Sequence, residues 1–493
     1  MKKYFNVCVI ITLIYAVLTL LCVFNHEVFN DEIQVWQLAK YLNPIELFNR
    51  LHNEGHPAFF YLLVMPFAKL FSNVILMQLI CWLSSCLAVF ILLKYAPFKL
   101  YVKLAIISSA GFLYFYPVIA RSYSILPVLV FLAAILYLSR KKHPVLYALV
   151  LFLIANTHII MFGFVFVLFV FFLKDIVCEK LYKNNFSFPL AAFFMFIGLC
   201  LVLFQIHDTT VNNSFISIHF DRLWLNAFKV IPNFFANAYL YKHEIYDVGK
   251  KLFLFDIIAI FIIFINFVMI FINLFLNNKR MFLIAFLSVC FQLVIYIFAY
   301  PHYIFVNRIF SAYIIIIFCM WILIADGTTN KKYKICSIKA INIMLFIMFI
   351  LTFKNGLNYY LMDVKELKQA EQPAVDFISE NIDKNSFILT EHEPHSLTLV
   401  YLLKGKYKIY SVVRDEELKY VKWDDKAIQL LSNNDWILGA IYYRQKYQNI
   451  YVIIPRNMGD EDKKLNDKFF IRIYPDKISN KEFINYTIYK FLL

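Results

Sequence analysis

The sequence predicts a polytopic all-α membrane domain of about eleven transmembrane helices, followed by a small extracytoplasmic α/β domain. Three observations carry this prediction. Hydrophobic residues make up 61% of the 493 positions and charged residues only 16%, too apolar for a soluble globule. Apolar runs of spanning length recur through the first 356 residues, separated by short basic clusters. Beyond residue 357 the runs shorten and begin to alternate, the pattern of small helices and strands.

The first run, "YFNVCVIITLIYAVLTLLCVF" (Tyr4 to Phe24), is long enough to cross a bilayer and shows no small-residue cleavage site. It reads as a retained helix after a cytoplasmic "MKK". The net charge of +15 does not call for nucleic acid as a partner, because lysine and arginine collect in the cytoplasmic loops of membrane proteins. The basic clusters are Lys94–Lys103, "RKKH" (Arg140–His143), Lys174–Lys183, "NNKR" (Asn277–Arg280) and "KKYKICSIK" (Lys331–Lys339). Placing all of them inside gives a consistent alternation, with spans near 4–24, 74–93, 103–118, 122–138, 144–157, 159–173, 188–205, 252–276, 281–299, 309–325 and 338–356. The N-terminus is then cytoplasmic and residues 357–493 lie outside. This is the topology of a multi-pass protein of a cell membrane, and the richness in Lys, Asn, Ile, Phe and Tyr points to a bacterial inner or plasma membrane.

The run "PAFFYLLVMPFAKLF" (Pro57–Phe71) resists the alternation, since counting it as a span would put Lys94–Lys103 outside. It is read as a helix at the outer membrane face or only partly inserted. The membrane domain is thus 1–356, with a first outer loop at 25–73. In the second domain, 357–493, "PAVDFISENI" and "HSLTLVYLL" read as helices. "SFILT", "YKIYSVV", "WILGAIYY", "IYVIIP" and "FFIRIY" read as strands, with a last helix near "NKEFINYTIYKFLL". That outer domain contains no cysteine, so no disulfide holds it.

In so apolar a chain the informative residues are the polar ones near the membrane, where charge is expensive. Asp31, Glu32, His52, Glu54 and His56 follow the first span. Arg121, His158, His302 and Arg308 fall at other outer turns, so one face gathers acids and arginines. Headgroups and water explain a lone histidine such as His158 or His302 without a site. Arg121 and Arg308 each end an apolar run with no acid beside them, and a guanidinium fork suits phosphate. Asp31 and Glu32 also fit an ordinary helix start, with Asn30 as cap and acids complementing the dipole. No G-x-x-x-x-G-K-[ST], G-x-G-x-x-G, H-E-x-x-H, C-x-x-C or G-x-S-x-G occurs, so no nucleotide-phosphate cradle is visible. The acid triplet Asp460–Asp462 reads as a solvated turn.

The order of these features resembles the GT-C superfamily of polytopic glycosyltransferases, most nearly the branch of protein O-mannosyltransferases and the lipid A aminoarabinose transferase. The residues that carry the resemblance are "NDE" after the first span, giving Asp31 and Glu32, and "EGHPAFFYLL", similar to the family's His-Pro-Pro-Leu-Tyr run, giving His56 and Pro57. "IARSYSIL" is similar to its Arg-x-Tyr run, giving Arg121 and Tyr123, and "VNRIFSAY" to the arginine before a late span, giving Arg308. Ala58 stands where the family has a second proline, and the C-terminal domain matches only in position and general α/β character.

The resemblance implies transfer of a sugar from a polyprenyl-phosphate donor to a glycan, lipid or protein acceptor outside the cytoplasm, beside the membrane lipid. Asp31 is then the general base, Glu32 a second acid of the catalytic loop, and Arg121 and Arg308 the cations for the departing phosphate. His56 and Tyr123 join the substrate-binding set by the resemblance, and His158 and His302 are added from their place at the same outer face. One base and one displacement imply inversion at the anomeric carbon. A divalent cation assists some members of the superfamily, but no ligand set here demands one, and no other cofactor is implied. A transporter or flippase of a polyprenyl-linked glycan is the main alternative; paired half-molecules, the usual mark of transporters, are not evident. An envelope receptor would explain the C-terminal domain but not the polar outer loops.

Overall fold

The computed structural model describes residues 2–183, 185–206, 223–240, 254–299, 306–327, 337–365, 371–390, 392–424, 426–427, 431–455, 465, 468–474 and 486–492. His302 and the Asp460–Asp462 triplet lie outside the described residues. The membrane part runs α1 (Lys2–Asn25), α2 (Asn30–Tyr41), α3 (Pro44–Arg50), α4 (Phe59–Leu70), α5 (Ile75–Tyr95), α6 (Leu100–Ser108), α7 (Leu126–Leu138) and α8 (Pro144–Ala155). It continues α9 (Phe162–Cys178), α10 (Ser187–Ile206), α11 (Leu223–Tyr239), α12 (Leu254–Asn277), α13 (Lys279–Ala299), α14 (Val306–Ala325), α15 (Ile338–Ile350) and α16 (Phe353–Lys365).

Among the described residues eight helical stretches are long and apolar enough to cross a membrane: α1, α5, α9, α10, α12, α13, α14 and the end-to-end pair α15–α16. The other expected spans are shorter. α7 has 13 residues and α8 has 12. α6 has only nine, because Ser109 turns extended (φ −64°, ψ 159°) before a π-helical turn at Gly111–Phe115. Helix length alone therefore supports eight crossings and not eleven. α4, the segment that resisted the charge pattern, is a 12-residue helix containing Pro66. At a 1.5 Å rise it reaches about 18 Å, well short of a hydrocarbon core of about 30 Å. It buries Phe60, Tyr61, Val64, Met65 and Ala68 and packs against α2.

Burial separates central from peripheral helices. Every residue of α14 from Ile309 to Leu323 is buried, as expected of a helix apolar on all sides and surrounded by protein. α1 instead leaves Ile10, Leu13, Ile14, Val17 and Leu21 exposed, a face suited to lipid. Helix ends meet in two polar clusters. At one end Asp175 binds Arg140 (3.0 Å) and Arg280 (2.8 Å), joining three of the basic clusters read from the sequence. His158 precedes α9 and Asp175 lies near its end, so the 17 residues of α9, about 25 Å, separate this cluster from the polar groups described below.

α16 straddles position 356 and stays with the helical part: Tyr360 donates to the Leu18 carbonyl at 2.9 Å. The α/β unit then adds α17 (Gln372–Asn381), β1 (Phe387–Thr390), α18 (Glu393–Leu402), β2 (Ile409–Ser411), β3 (Glu416–Glu417), α19 (Asn433–Arg444), β4 (Ile450–Pro455), β5 (Phe470–Tyr474) and β6 (Tyr486–Phe491). Its sheet has the order β3-β2-β1-β4-β6-β5, with β2, β1 and β4 parallel and the rest antiparallel. Alternation along the strands fills a core on each face, Ile388 and Ile453 on one and Leu389 and Val452 on the other.

Two elements of this unit differ from the sequence reading. "WILGAIYY" is helical, because Ser432 and Asp435 form a reciprocal capping box and Trp436, Ala440 and Tyr443 share one buried face at helical spacing. The final segment "YTIYKF" is a strand: its β-branched and aromatic residues pair between β4 and β5.

Gly356 lets α16 press against the backbone just before the π turn, since a Cβ there would stand 2.6 Å from the Ala110 Cα. Backbone cannot yield as a side chain can. Gly356→Ala should therefore cost about 1–3 kcal/mol by overpacking, against the ~1 kcal/mol that helix propensity returns. The expected result is a lower Tm in detergent; an unchanged or raised Tm would show that the helices part freely.

Candidate functional site

The site begins where α2 starts. Phe29 occupies the cap position in extended conformation and offers no side-chain cap. Asn30, expected as the cap, is the first helical residue, and its Oδ1 accepts from the Thr398 hydroxyl of α18. Glu32 supplies the missing contact by folding back to accept from the Phe29 N–H at 3.2 Å. This carboxylate is fully buried. Its Oε1 accepts from the Ala120 N–H at 2.6 Å and its Oε2 lies 3.0 Å from His26 Nε2. The other ring nitrogen of His26 lies 2.6 Å from Asp363 Oδ2, which also accepts from the Tyr114 hydroxyl at 2.8 Å. Burial alone would lower the pKa of His26, but Glu32 and then Asp363 outweigh it and push the ring up to about 10. His26 is thus an imidazolium donating to two carboxylates.

Asp31, one residue earlier on the helix, points the other way. Its side chain is 52% exposed and pairs with Arg121 Nη1 at 2.9 Å. The adjacent acids have therefore divided: Glu32 is internal and Asp31 faces outward. Arg121 is buried and reaches in a second direction, donating through Nη2 to His56 Nε2 at 2.8 Å. The His56 and His158 rings meet edge-on with centroids 4.6 Å apart, and Tyr123 lies 6.4 Å from His158. Burial, then His158 and the charges of Arg121 and Arg308, hold His56 well below the ordinary histidine range. Burial and then Arg308 do the same to His158. Both rings are neutral.

Their tautomers follow from their partners. His56 Nε2 accepts from Arg121, so its proton is on Nδ1. His158 Nδ1 accepts from the Ile160 N–H at 3.2 Å, so its proton is on Nε2. Both of these N–H groups are buried without a hydrogen-bond partner among the described residues. Two donors and two guanidinium charges thus converge beside one carboxylate.

The loop that carries His56 is held from below. Gly55 has φ +70°, a conformation that favours glycine, and lets the chain turn into His56. Gln205 Oε1 accepts from the Ala58 N–H at 2.7 Å, and the Asn156 carbonyl accepts from the Phe59 N–H at 3.1 Å. Glu54 accepts from Gln34 Nε2 at 2.8 Å. Burial pushes Glu54 up to about 7, against the opposing effects of Gln34, Arg50 and Arg121.

Of the residues singled out from sequence, Asp31, His56, Arg121, Tyr123, His158 and Arg308 come together, Glu32 lies beneath them, and His302 lies outside the described residues. His26, Asp363, Gln34, Asn156 and Gln205 were not anticipated. Asn156 and Gln205 carried a usable signal, an amide at the end of an apolar helix. Among the described residues no three His, Cys, Asp or Glu side chains are grouped to hold a metal ion. Comparison with models of protein families gives no match, and comparison with curated proteins gives none either.

Because the pKa of His26 is raised on folding, its contribution to stability is full below the ordinary value of 6.5 and is lost as pH rises toward about 10. Thermal unfolding across that range should show wild type losing more stability than His26→Gln. Parallel curves for the two proteins would mean that His26 carries no charge in the fold.

Proposed function

We propose that this protein is an integral-membrane glycosyltransferase, GT-C-like in organisation, which moves a sugar from a polyprenyl-phosphate donor to an acceptor outside the cytoplasm. The observation that carries this reading is the buried Arg121 held between Asp31 and His56, with the neutral His56–His158 pair offering two unpartnered N–H groups. A phosphate would supply acceptors for both imidazoles and for the Arg121 fork, while Arg308 adds positive charge. Such preorganised donors favour the charge that grows on a departing phosphate oxygen. Arg121 and Arg308 hold that phosphate, with His56, His158 and Tyr123 around it.

Asp31 is half exposed, so an acceptor hydroxyl can reach it. It removes the hydroxyl proton as the new bond to the anomeric carbon forms, and a single displacement inverts that carbon. Glu32 is a positioning residue, with both its oxygens engaged by the fold. α4 lies against α2 and covers the flank along which a prenyl chain would approach. In this reading the shorter α6, α7 and α8 complete about eleven crossings within the bundle, the N-terminus is cytoplasmic, and the site and α/β unit face outward in a bacterial membrane. The acceptor is a glycan, lipid or protein.

The test is sugar transfer from a polyprenyl-phosphate donor by purified protein. Asp31→Asn should reduce kcat by at least about 100-fold while the protein stays folded. Arg121→Ala should lower kcat/KM for the donor by roughly 100-fold, the loss expected for one charge-stabilising group. Near wild-type transfer by Asp31→Asn would remove the base assignment, and unchanged donor use by Arg121→Ala would remove the phosphate assignment.

A further inference from the structure

We propose that Glu54 protonates the departing prenyl phosphate, and that Gln34, clamped by the C-terminal α/β unit, holds Glu54 for that task. This rests on the transferase reading above. Gln34 is buried on α2, and its amide hydrogen-bonding groups are engaged. Oε1 accepts from the Val421 N–H at 2.8 Å. Nε2 donates to the Val421 carbonyl and to Glu54 Oε1, each at 2.8 Å. A primary amide fixed at both ends by one backbone residue cannot rotate, so it presents its remaining N–H in one direction. Val421 belongs to the α/β unit, and the C-terminal part of the chain thereby sets the orientation of a carboxyl group in the first outer loop.

Glu54 lies within electrostatic reach of Arg121 and Asp31, which makes it a second carboxyl group of the same site. The groups that face it are Gln34 and Asp31 from α2, Arg50 from its own loop, Arg121 from the turn before α7, and Tyr61 from α4. Burial dominates this set, and Glu54 titrates at about 7. A carboxyl group there carries a proton at neutral pH that it can give away. Asp31 and Glu54 form a pair separated by environment, one exposed and ion-paired, the other half-buried and held by an amide, which is the arrangement that divides base from acid.

The transfer then balances. The acceptor O–H bond breaks, its proton passes to Asp31, and its oxygen bonds to the anomeric carbon. The bond from that carbon to the phosphate oxygen breaks, and the electron pair leaves with the oxygen. The carboxyl proton of Glu54 follows that electron pair. Solvent returns the proton from Asp31 to Glu54 before the next turnover.

As an acid, Glu54 must be protonated, so kcat should fall as pH rises through about 7. Glu54→Gln should remove that alkaline limb and lower kcat at pH 6 on the order of tenfold or more. The hydrogen bond from Gln34 favours the charged form, so Gln34→Leu should move the limb to higher pH. A merely structural role for Gln34 would lower kcat without moving the limb. An alkaline limb retained by Glu54→Gln, or unmoved by Gln34→Leu, would overturn the proposal. Infrared spectroscopy of the purified protein gives a readout independent of turnover. A protonated-carboxyl band should titrate near neutral pH, vanish in Glu54→Gln and titrate higher in Gln34→Leu. If wild type transfers no sugar yet the band behaves this way, the transferase reading fails and the donor role fails with it. If transfer occurs and the band is absent at neutral pH, only the assignment of Glu54 falls.

Discussion

The arrangement around the site depends on the buried carboxylate of Glu32. An unpaired charge in so dry a place would cost several kcal/mol, so every contact made by Glu32 constrains the chain. Its partners come from the end of α1 (His26), the start of α2 (Phe29) and the turn before α7 (Ala120), and His26 extends the network to Asp363 on α16. The consequence for the site is local. Asp31 adjoins Glu32 and Arg121 adjoins Ala120. The 2.6 Å bond between Glu32 and the Ala120 N–H therefore places the 2.9 Å ion pair between their neighbours. The ion pair is half exposed at Asp31 and would be weakly ordered alone, because surface pairs contribute at most about 1 kcal/mol. Fixed backbones on both sides remove much of the entropy that such a pair must otherwise lose.

What could be read from the sequence follows from which constraints are local. A membrane demands unbroken apolar length, so helices such as α1, α5 and α12 declare themselves in hydropathy. The short α6 did not, because its break at Ser109 is backbone geometry in an otherwise apolar run. Asp31, His56, Arg121, His158 and Arg308 stood out because polar groups are expensive beside lipid. His26 and Gln34 did not. His26 bonds Asp363 as well as nearby Glu32, and Gln34 bonds Val421 as well as Glu54; no pattern within either segment names the distant partner. The misassigned helix of the α/β unit fails for a more local reason. "WILGAIYY" is apolar enough for either structure, and the cap that settles the matter, Ser432 with Asp435, lies just outside the run.

The α/β unit is joined to the membrane part by specific polar contacts. Besides the Gln34–Val421 clamp, Thr398 bonds Asn30 at the first residue of α2, and the Tyr401 hydroxyl accepts from the Val74 N–H at the entrance to α5. Leu397, Val421 and Ala427 also join the main hydrophobic core. All three polar contacts fall on the segment between α1 and α5 or its boundary. A domain present only to recruit a partner would not need to bond the loop that carries the candidate chemistry. Contacts at the beginning and end of that segment instead make its conformation depend on the α/β unit being in place.

That dependence bears on how one loop could hold two carboxyl groups in different states. Both Asp31 and Glu54 stand near Arg121, so the arginine alone cannot separate them. The separation comes from solvent access. Asp31 is half exposed and takes the direct ion pair, whereas Glu54 is half-buried beside Gln34, where burial makes losing a proton costlier. The α/β unit enters through Val421, which fixes the Gln34 amide that donates to Glu54 Oε1; that bond favours the charged form and so limits how far burial raises the carboxyl group. The distant C-terminal fold and the protonation of one loop residue are thus a single structural problem, solved by one amide with all of its hydrogen-bonding groups engaged.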